Sequence, residues 1–270
     1  MTTGLAESHQ SLPVADENAG TYTGPMHRRR ALEWLPIFRS VDRRRQAIQV
    51  ARAVRRARRR AFEAVGSARH SRPETEGLGR YLDFDDGYFV EAGANDGFRQ
   101  SNTYFLERFR GWRGLLVEPI PELHERCVRE RPRSSCVNCA LVEPQSAGRP
   151  IIMRFGDLLS HVAAPGEAPP EADPANWGWS PAYDVVVPTK TLSQVLDDAQ
   201  APRWDFLSLD LEGHEEQALA GLDLDRHRPT YILIEALEAD ERLPRLERLF
   251  AGRYELVERL PRDLLFRQTG

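Results

Sequence analysis

Three short segments of this chain place carboxylates directly after apolar runs, and they contain the residues that could do chemistry. The first segment, residues 91–97 (EAGANDG), follows the apolar run of residues 88–90. Its glycines suit a sharp turn or the close approach of a ligand to the backbone. The spacing is not that of the GxGxxG dinucleotide motif, and no Gly-Lys-Ser/Thr follows as in a phosphate loop. Because Glu91 and Asp96 would repel a pyrophosphate, the loop favours a cationic ligand.

The second segment is Glu118 with Pro119, at the end of the apolar run of residues 114–117. A carboxylate at the end of a strand can accept hydrogen bonds from both hydroxyls of a ribose, as it does in dinucleotide-binding folds. The alternative is a carboxylate that only caps the turn after the strand. Beside the glycine-containing loop, ribose binding is the favoured interpretation of Glu118.

The third segment is residues 205–215 (DFLSLDLEGHE). Strand periodicity predicts Asp210 and Glu212 on one face at the carboxyl end of a strand. Gly213 then allows a turn, and His214 begins the following helix. Two carboxylates and an imidazole are therefore expected to meet at one place. The alternative is that Glu212 and Glu215 only serve the N-terminus of that helix and that His214 is structural.

The elements that must position these segments follow from an alternation of strand-like and helix-like stretches. We predict strands at residues 88–92, 114–118, 135–142, 151–155, 183–187, 206–211 and 231–235, helices at 101–109, 121–130, 191–199 and 214–220, and a closing antiparallel hairpin of 254–260 with 264–267. Strands alternating with helices form a parallel sheet with helices on both faces. Such sheets bind ligands at the carboxyl ends of their strands, where all three segments lie.

Composition excludes several classes of protein. The 270 residues are 41% hydrophobic and 29% charged, which is typical of a globular chain and not of a collagen-like, disordered or disulfide-scaffold protein. We expect no transmembrane segment and no secretory signal. Three cysteines favour a reducing compartment, and hence a cytoplasmic location. Cys136 and Cys139 form a CxxC, but without a second ligand pair they are expected to pack in a buried strand.

The charge distribution predicts the organisation of the chain. We expect a disordered tail over residues 1–25, a basic helical extension over 26–80, and one α/β domain over 81–270. Residues 26–60 hold 13 Arg against two acidic residues, whereas the remainder of the chain is acidic. The extension is expected to pack on this acidic body. A second copy of the chain, which would give a homo-oligomer, an anionic membrane surface and an acidic partner are alternatives. Nucleic acid is not expected, because no aromatic-basic motif accompanies the arginines.

Residues 156–182 interrupt the alternation of strands and helices. They are rich in Gly, Pro and Ala and contain Trp177 and Trp179. A loop of this length inside a domain is usually a lid or a binding loop. We favour a loop that closes over a ligand, and the alternative is that the two Trp side chains only attach it to the body.

Taken in order, residues 89–97, 117–119 and 205–215 resemble the FkbM-type family of S-adenosylmethionine-dependent methyltransferases. The resemblance covers roughly residues 85–240. It implies a class I methyltransferase domain of Rossmann-like α/β fold, in which a seven-stranded, mostly parallel sheet has one reversed strand and helices on both faces. It also implies O-methylation of a hydroxyl on a sugar or other natural-product small molecule.

The resemblance also implies roles for individual residues. The loop of residues 91–97 would hold the methionine part of S-adenosylmethionine, Glu118 would hold the ribose, and Asp210 with its neighbours would face the methyl group and the acceptor. The implied cofactor-binding residues are Glu91, Gly93, Ala94, Asn95, Asp96, Gly97, Glu118 and Pro119. The implied catalytic residues are His214, Asp210 and Glu212.

The sequence does not decide which group activates the acceptor hydroxyl. His214 suits a general base, because the pKa of an imidazole lies near ~6.5. Asp210 could orient His214 or bind the hydroxyl, or Asp210 and Glu212 could hold a divalent cation. Chains of this fold can also lack activity, so a binding or scaffold protein is an alternative function. A nicotinamide-dependent oxidoreductase is disfavoured by the absence of GxGxxG.

Overall fold

The computed structural model describes residues 75–155, 160–162, 183–202 and 204–270. The tail expected at residues 1–25, nearly all of the basic extension and most of the loop at residues 156–182 lie outside the described residues. The described part contains the three segments singled out above.

The predicted elements occur in the predicted order, although the helix predicted over residues 101–109 begins at Tyr104. The strands His161–Val162 and Thr189–Lys190 and the helix Ala239–Phe250 were not predicted. In order, the described elements are α1 (Thr75–Leu78), β1 (Tyr88–Ala92), α2 (Tyr104–Phe109), β2 (Arg113–Val117), α3 (Pro121–Glu130), β3 (Ser135–Val137), β4 (Ala140–Leu141), a 3₁₀ turn (Pro144–Ser146), β5 (Ile151–Phe155), β6 (His161–Val162), β7 (Tyr183–Val187), β8 (Thr189–Lys190), α4 (Leu192–Asp198), β9 (Phe206–Leu209), α5 (Glu215–Ala220), β10 (Tyr231–Glu235), α6 (Ala239–Phe250), β11 (Tyr254–Arg259) and β12 (Asp263–Gln268).

A seven-stranded sheet forms the centre of the fold, in the order β11-β12-β10-β9-β1-β2-β3. Pairing is parallel from β10 through β3, and β12 is antiparallel to both of its neighbours. The mostly parallel sheet and its closing hairpin, with one reversed strand, are thereby confirmed. Parallel pairing brings the carboxyl ends of β2, β1, β9 and β10 to one edge, which is where β-α loops can form a site.

Apolar runs without alternation explain why this sheet is buried on both faces. On one face Val90 and Leu207 pack with side chains of α4, α5 and α6. On the other face Phe89 and Phe206 pack with side chains of α1, α2 and α3. Neighbouring residues of one strand therefore enter opposite cores, and helices cover both sides as expected.

The strand predicted over residues 135–142 is two strands in two sheets. β3 pairs with β2 in the main sheet, whereas β4 pairs with β8. Asn138, between them, donates its side-chain amide to the carbonyl oxygens of Glu118 and Pro119, at 2.8 Å each. These bonds fix Asn138 to the segment after β2, and the chain leaves the main sheet there.

The cysteine pair suggested by the CxxC spacing is not the pair that meets. Cys136 Sγ lies 3.4 Å from Sγ of Cys127 on α3, and Cys139 packs separately in the core. All three thiols are free. Cys136 and Cys139 therefore pack within the protein, which is the role that the sequence favoured.

A small antiparallel sheet, β6-β5-β7, lies apart from the main one. Met153 of β5 packs against Ile120 and Leu123 at the beginning of α3. This contact brings β5 and Ser160 beside the carboxyl edge of the main sheet. Among the described helices, none combines the length and apolar character that a membrane span requires.

Candidate active site

A cleft lies at the carboxyl edge of the main sheet, where parallel α/β sheets bind their ligands. Six predicted site residues line it, namely Gly93, Asn95, Glu118, Pro119, Asp210 and Glu212. Six further lining residues were not predicted, namely Arg99, Gln100, Leu123, Met153, Ser160 and Leu211. The structure therefore brings together parts of all three predicted segments.

Glu118 is fixed at the end of β2 by two backbone amides. Its Oε2 accepts from the N–H of Asn95 at 2.8 Å, and its Oε1 accepts from the N–H of Ile120 at 2.9 Å. Burial raises the pKa of Glu118 to about 8, against the lowering effect of these two hydrogen bonds. Each oxygen has one remaining acceptor position, so the carboxylate can receive two hydroxyl donors.

Gly93 lies where the ends of β1 and β9 come closest. A Cβ on Gly93 would lie 1.8 Å from the carbonyl oxygen of Asp210, and the φ of Gly93 is +83°. Both the space and the backbone conformation therefore require glycine. The sequence analysis attributed this glycine to a turn or to a ligand, and the structure shows a close backbone contact within the protein.

Glu91 does not line the cleft, although it was predicted to bind the cofactor. Its carboxylate is 3% exposed and accepts from the hydroxyl of Ser101 at 2.9 Å, the N–H of Asn102 at 2.8 Å and the hydroxyl of Thr103 at 2.5 Å. Arg131 Nη1 lies 3.5 Å from the same carboxylate. These partners hold the Glu91 carboxylate within the protein, and its role in cofactor binding stays a prediction.

Arg131 is the centre of this buried network. It donates to Glu107 at 2.9 Å, to the carbonyl of Gly97 at 3.2 Å and to Thr103 Oγ1 at 2.9 Å. Its guanidinium carbon lies 5.1 Å from the ring centre of Phe89 and 5.7 Å from that of Tyr104. One cation thus connects the end of α3 to the loop after β1. No local sequence signal identifies it.

The other predicted residues of the first loop serve the loop itself. Ala94 is buried, and Gly97 packs against Cys127 and Arg131. One carboxylate oxygen of Asp96 accepts from the N–H groups of Phe98 at 3.1 Å and Arg99 at 2.8 Å. Within the described residues, Ala94, Asp96 and Gly97 are therefore not among those that line the cleft.

A group of three carboxylates, two of which line the cleft, lies at the other side of the site. Oxygens of Asp210, Glu212 and Glu235 all lie within 4.8 Å of one another. β9 ends at Leu209, so Asp210 and Glu212 lie beyond the strand and strand periodicity does not explain why they are close. Glu212 instead adopts a left-handed backbone conformation with a φ of +51°. Glu235 ends β10 at the same edge, a position from which the sequence could have identified it.

Glu215 holds the segment in which this group lies. It is fully buried and accepts from the N–H groups of Leu211 at 2.8 Å and Gly213 at 3.2 Å. Arg242 on α6 donates to its other oxygen at 2.8 Å. Glu212 and Glu215 were the two candidates for interacting with the N-terminus of α5. Glu215 binds the turn before this helix, whereas Glu212 lines the cleft.

His214 does not join the two carboxylates of its segment in lining the cleft. It occupies the position before α5, and among the described residues its buried Nε2 atom has no hydrogen-bond partner. Burial lowers the pKa of His214 below its ordinary value, against the effects of Glu143 and Glu215. The expected meeting of two carboxylates with an imidazole is thus observed only for the carboxylates.

Half of the six described non-glycine residues with positive φ line the cleft. Three lining residues that are not glycine have positive φ angles: Asn95 (+50°), Gln100 (+57°) and Glu212 (+51°). Such conformations cost about 1–3 kcal/mol each and are frequent at functional sites.

Comparisons with known proteins agree with the motifs. A family model described as the methyltransferase FkbM domain matches residues 91–256. A comparison with curated protein sequences finds no significant match.

Solved structures with similar folds include a TehB-like SAM-dependent methyltransferase from Corynebacterium glutamicum, with 15% identity, TM-score 0.38, and 81% of this chain and 99% of that chain covered. Another is the precorrin-6y C5,15-methyltransferase from Geobacter metallireducens, with 12% identity, TM-score 0.41, and 73% and 86% covered. A third is an O-methyltransferase from Bacillus cereus in complex with SAH, with 11% identity, TM-score 0.42, and 73% and 79% covered. Similarities this weak add nothing to what the strand order already shows.

Proposed function

The chain belongs to the FkbM methyltransferase family, and from this we propose that it transfers a methyl group from S-adenosylmethionine to a hydroxyl on a sugar or natural-product small molecule. The observation that supports the proposal is the cleft, where a carboxylate suited to a ribose and a separate group of carboxylates lie at one sheet edge. Positioning the acceptor oxygen behind the methyl carbon is the main task of such a site.

The residues of the cleft fit the cofactor. Glu118 has two acceptor positions left after its two backbone hydrogen bonds, and a ribose offers two hydroxyl donors. Asp210 and Glu212 supply negative charge for a sulfonium or ammonium group. When bound, S-adenosylmethionine would supply an electrophilic methyl group.

We assign the proton acceptor to Asp210. Asp210 lines the cleft, whereas the Nε2 atom of His214 is buried. When the cofactor supplies its methyl group to the acceptor oxygen, the Asp210 carboxylate would take the proton of that hydroxyl. The alternative is that Asp210, Glu212 and Glu235 hold a divalent cation, since carboxylate oxygens are ligands of Mg²⁺ and such a cation lowers the pKa of a hydroxyl.

The experiment that tests the function is mass spectrometry on a panel of hydroxylated metabolites with isotopically labelled cofactor. A product heavier by one labelled methyl group, formed together with S-adenosylhomocysteine, is the expected result. Binding of S-adenosylhomocysteine without turnover across the panel would favour the binding or scaffold protein. Absence of both binding and turnover would reject the proposal.

The pKa of Glu118 predicts how cofactor affinity depends on pH. Below about pH 8 the free carboxyl group carries a proton, and only the ionised form can accept from both ribose hydroxyls. The affinity for 5′-methylthioadenosine, which has the ribose but no titrating α-amino group, should therefore rise about tenfold per pH unit from pH ~6 to ~8 and then become constant. Isothermal titration calorimetry across this range measures it.

The matched control for this prediction is Glu118→Gln, which removes the titrating group and retains the size of the side chain. Its affinity should be weak and independent of pH. A pH dependence that persists in this variant would show that another group is responsible.

The absence of nucleic-acid partners, a homo-oligomer and a cytoplasmic location stay predictions.

A further inference from the structure

The charges that line the cleft leave one part of the proposed cofactor unmatched. Among the described residues of the lining, three are acidic (Glu118, Asp210 and Glu212) and Arg99 is the one cation. S-adenosylmethionine carries a carboxylate beside its ammonium and sulfonium groups. The carboxylates of Asp210 and Glu212 suit the two cations but would repel the carboxylate of the cofactor.

We propose that Arg99 binds the carboxylate of the amino-acid part of the cofactor. The inference rests on the proposed function and adds to it a residue that recognises this group. A guanidinium offers two parallel N–H donors in the geometry of a carboxylate, and such charge-assisted hydrogen bonds are about twice as strong as neutral ones.

The loop after β1 fixes Arg99 relative to Glu118. The N–H of Arg99 donates to Asp96 at 2.8 Å, and the N–H of Asn95, in the same loop, donates to Glu118 at 2.8 Å. Gln100, directly after Arg99, has a φ of +57°. Asp96 thus positions the backbone of Arg99, although the sequence suggested that Asp96 itself binds the cofactor.

The buried network supports the same loop from behind. Arg131 donates to the carbonyl of Gly97 at 3.2 Å, and Gly97 packs against Cys127 of α3. Glu118, at the ribose, is bound by the N–H of Ile120 directly before α3. The same helix, α3, therefore supports both Glu118 and the loop that contains Arg99. Packed elements, and not a loose loop, thus set the spacing between these two residues.

This arrangement predicts a difference between two ligands. S-adenosylhomocysteine contains adenine, ribose and the amino acid, whereas 5′-methylthioadenosine lacks the amino acid. If Arg99 binds the carboxylate, its replacement should affect only the first ligand. Glu118 variants should weaken both, since both ligands contain the ribose.

The test is calorimetric titration of the full chain and of Arg99→Gln with the two ligands. We expect Arg99→Gln to lower the affinity for S-adenosylhomocysteine about ten- to hundredfold and to change that for 5′-methylthioadenosine by less than about twofold. Arg99→Lys, which keeps the charge but not the fork, should lose less than Arg99→Gln. Arg113→Gln is the matched control, because Arg113 is an exposed arginine at the opposite end of β2.

Each other outcome has a defined meaning. An unchanged affinity of Arg99→Gln for S-adenosylhomocysteine overturns the inference, and so does an equal loss for both ligands with an unchanged unfolding midpoint. If Arg99→Gln fails to fold, the comparison of the two ligands is made on Arg99→Lys, and equal losses there overturn it. Failure of the unmodified chain to bind either ligand rejects the proposed function instead.

Discussion

Replacement of Asp210 by Asn should lower kcat by about 10²–10⁴-fold, the usual contribution of a general base. Asn retains the size of the side chain but cannot take the proton of the acceptor hydroxyl. Because Glu118 and the loop after β1 remain intact, the affinity for S-adenosylhomocysteine should change by less than about tenfold. Turnover by mass spectrometry and binding by calorimetry separate the two effects.

Three controls decide whether Asp210 acts as the base. Asp198→Asn, at an exposed carboxylate paired with Lys190, should leave turnover unchanged. His214→Ala should lose less than Asp210→Asn, and the reverse order would return the base to His214. If chelation abolishes activity, Mg²⁺ restores it, and Glu235→Gln fails as completely as Asp210→Asn, a bound cation and not a proton acceptor explains the loss.

Replacement of Arg131 by Met should destabilise the domain by about 3–5 kcal/mol, because it leaves the carboxylates of Glu91 and Glu107 buried without their cation. A loss of this size is a large part of the 5–15 kcal/mol that is typical of a domain. It should be measured as the free energy of unfolding in urea, with binding of S-adenosylhomocysteine in parallel.

Two companion variants separate charge from geometry at Arg131. Arg131→Lys keeps the cation but cannot reproduce the five donors, so it should lose less than Met and still weaken the loop at Gly97. The triple variant with Glu91→Gln and Glu107→Gln removes the unpaired charges and should recover part of the stability lost by Arg131→Met. A stability of Arg131→Met equal to that of the unmodified chain would contradict the role of this network.

Much of the fold could be predicted because its determinants are local. The bounds of α3, β5, β7 and β10 agree with the sequence prediction to the residue. Pro121 begins α3, and runs of apolar residues form the strands. Thr191 caps α4 with a capping box, in which Gln194 bonds back to the Thr191 N–H at 2.9 Å.

What could not be predicted depends on contacts between distant parts of the chain. α6 was missed because it contains Pro244 and buries only Leu246 and Phe250 fully. Burial of Glu91 depends on Arg131, which lies forty residues later in the chain. A carboxylate after an apolar run could equally line a cleft or turn into the protein, and only the packing of α3 against the loop decides.

The site was predictable to the same extent. Glu118, Asp210 and Glu212 follow from the rule that parallel strands present their carboxyl ends at one edge. Arg99 and Met153 do not, because one stands in an irregular loop and the other in a separate sheet. His214 was included for its chemistry, but the turn held by Glu215 determines where its ring lies.

The contact of Gly93 with the Asp210 carbonyl has a consequence for engineering. With no room between them, a redesign that moves the backbone at Asp210 would also shift the loop after β1, so it should alter the proposed cofactor site along with the proposed acceptor site. Met153, on β5 of the separate small sheet, and Ser160, directly before β6, also line the cleft. Mutant libraries that aim at new acceptors should therefore vary these two positions and leave the strand ends unaltered.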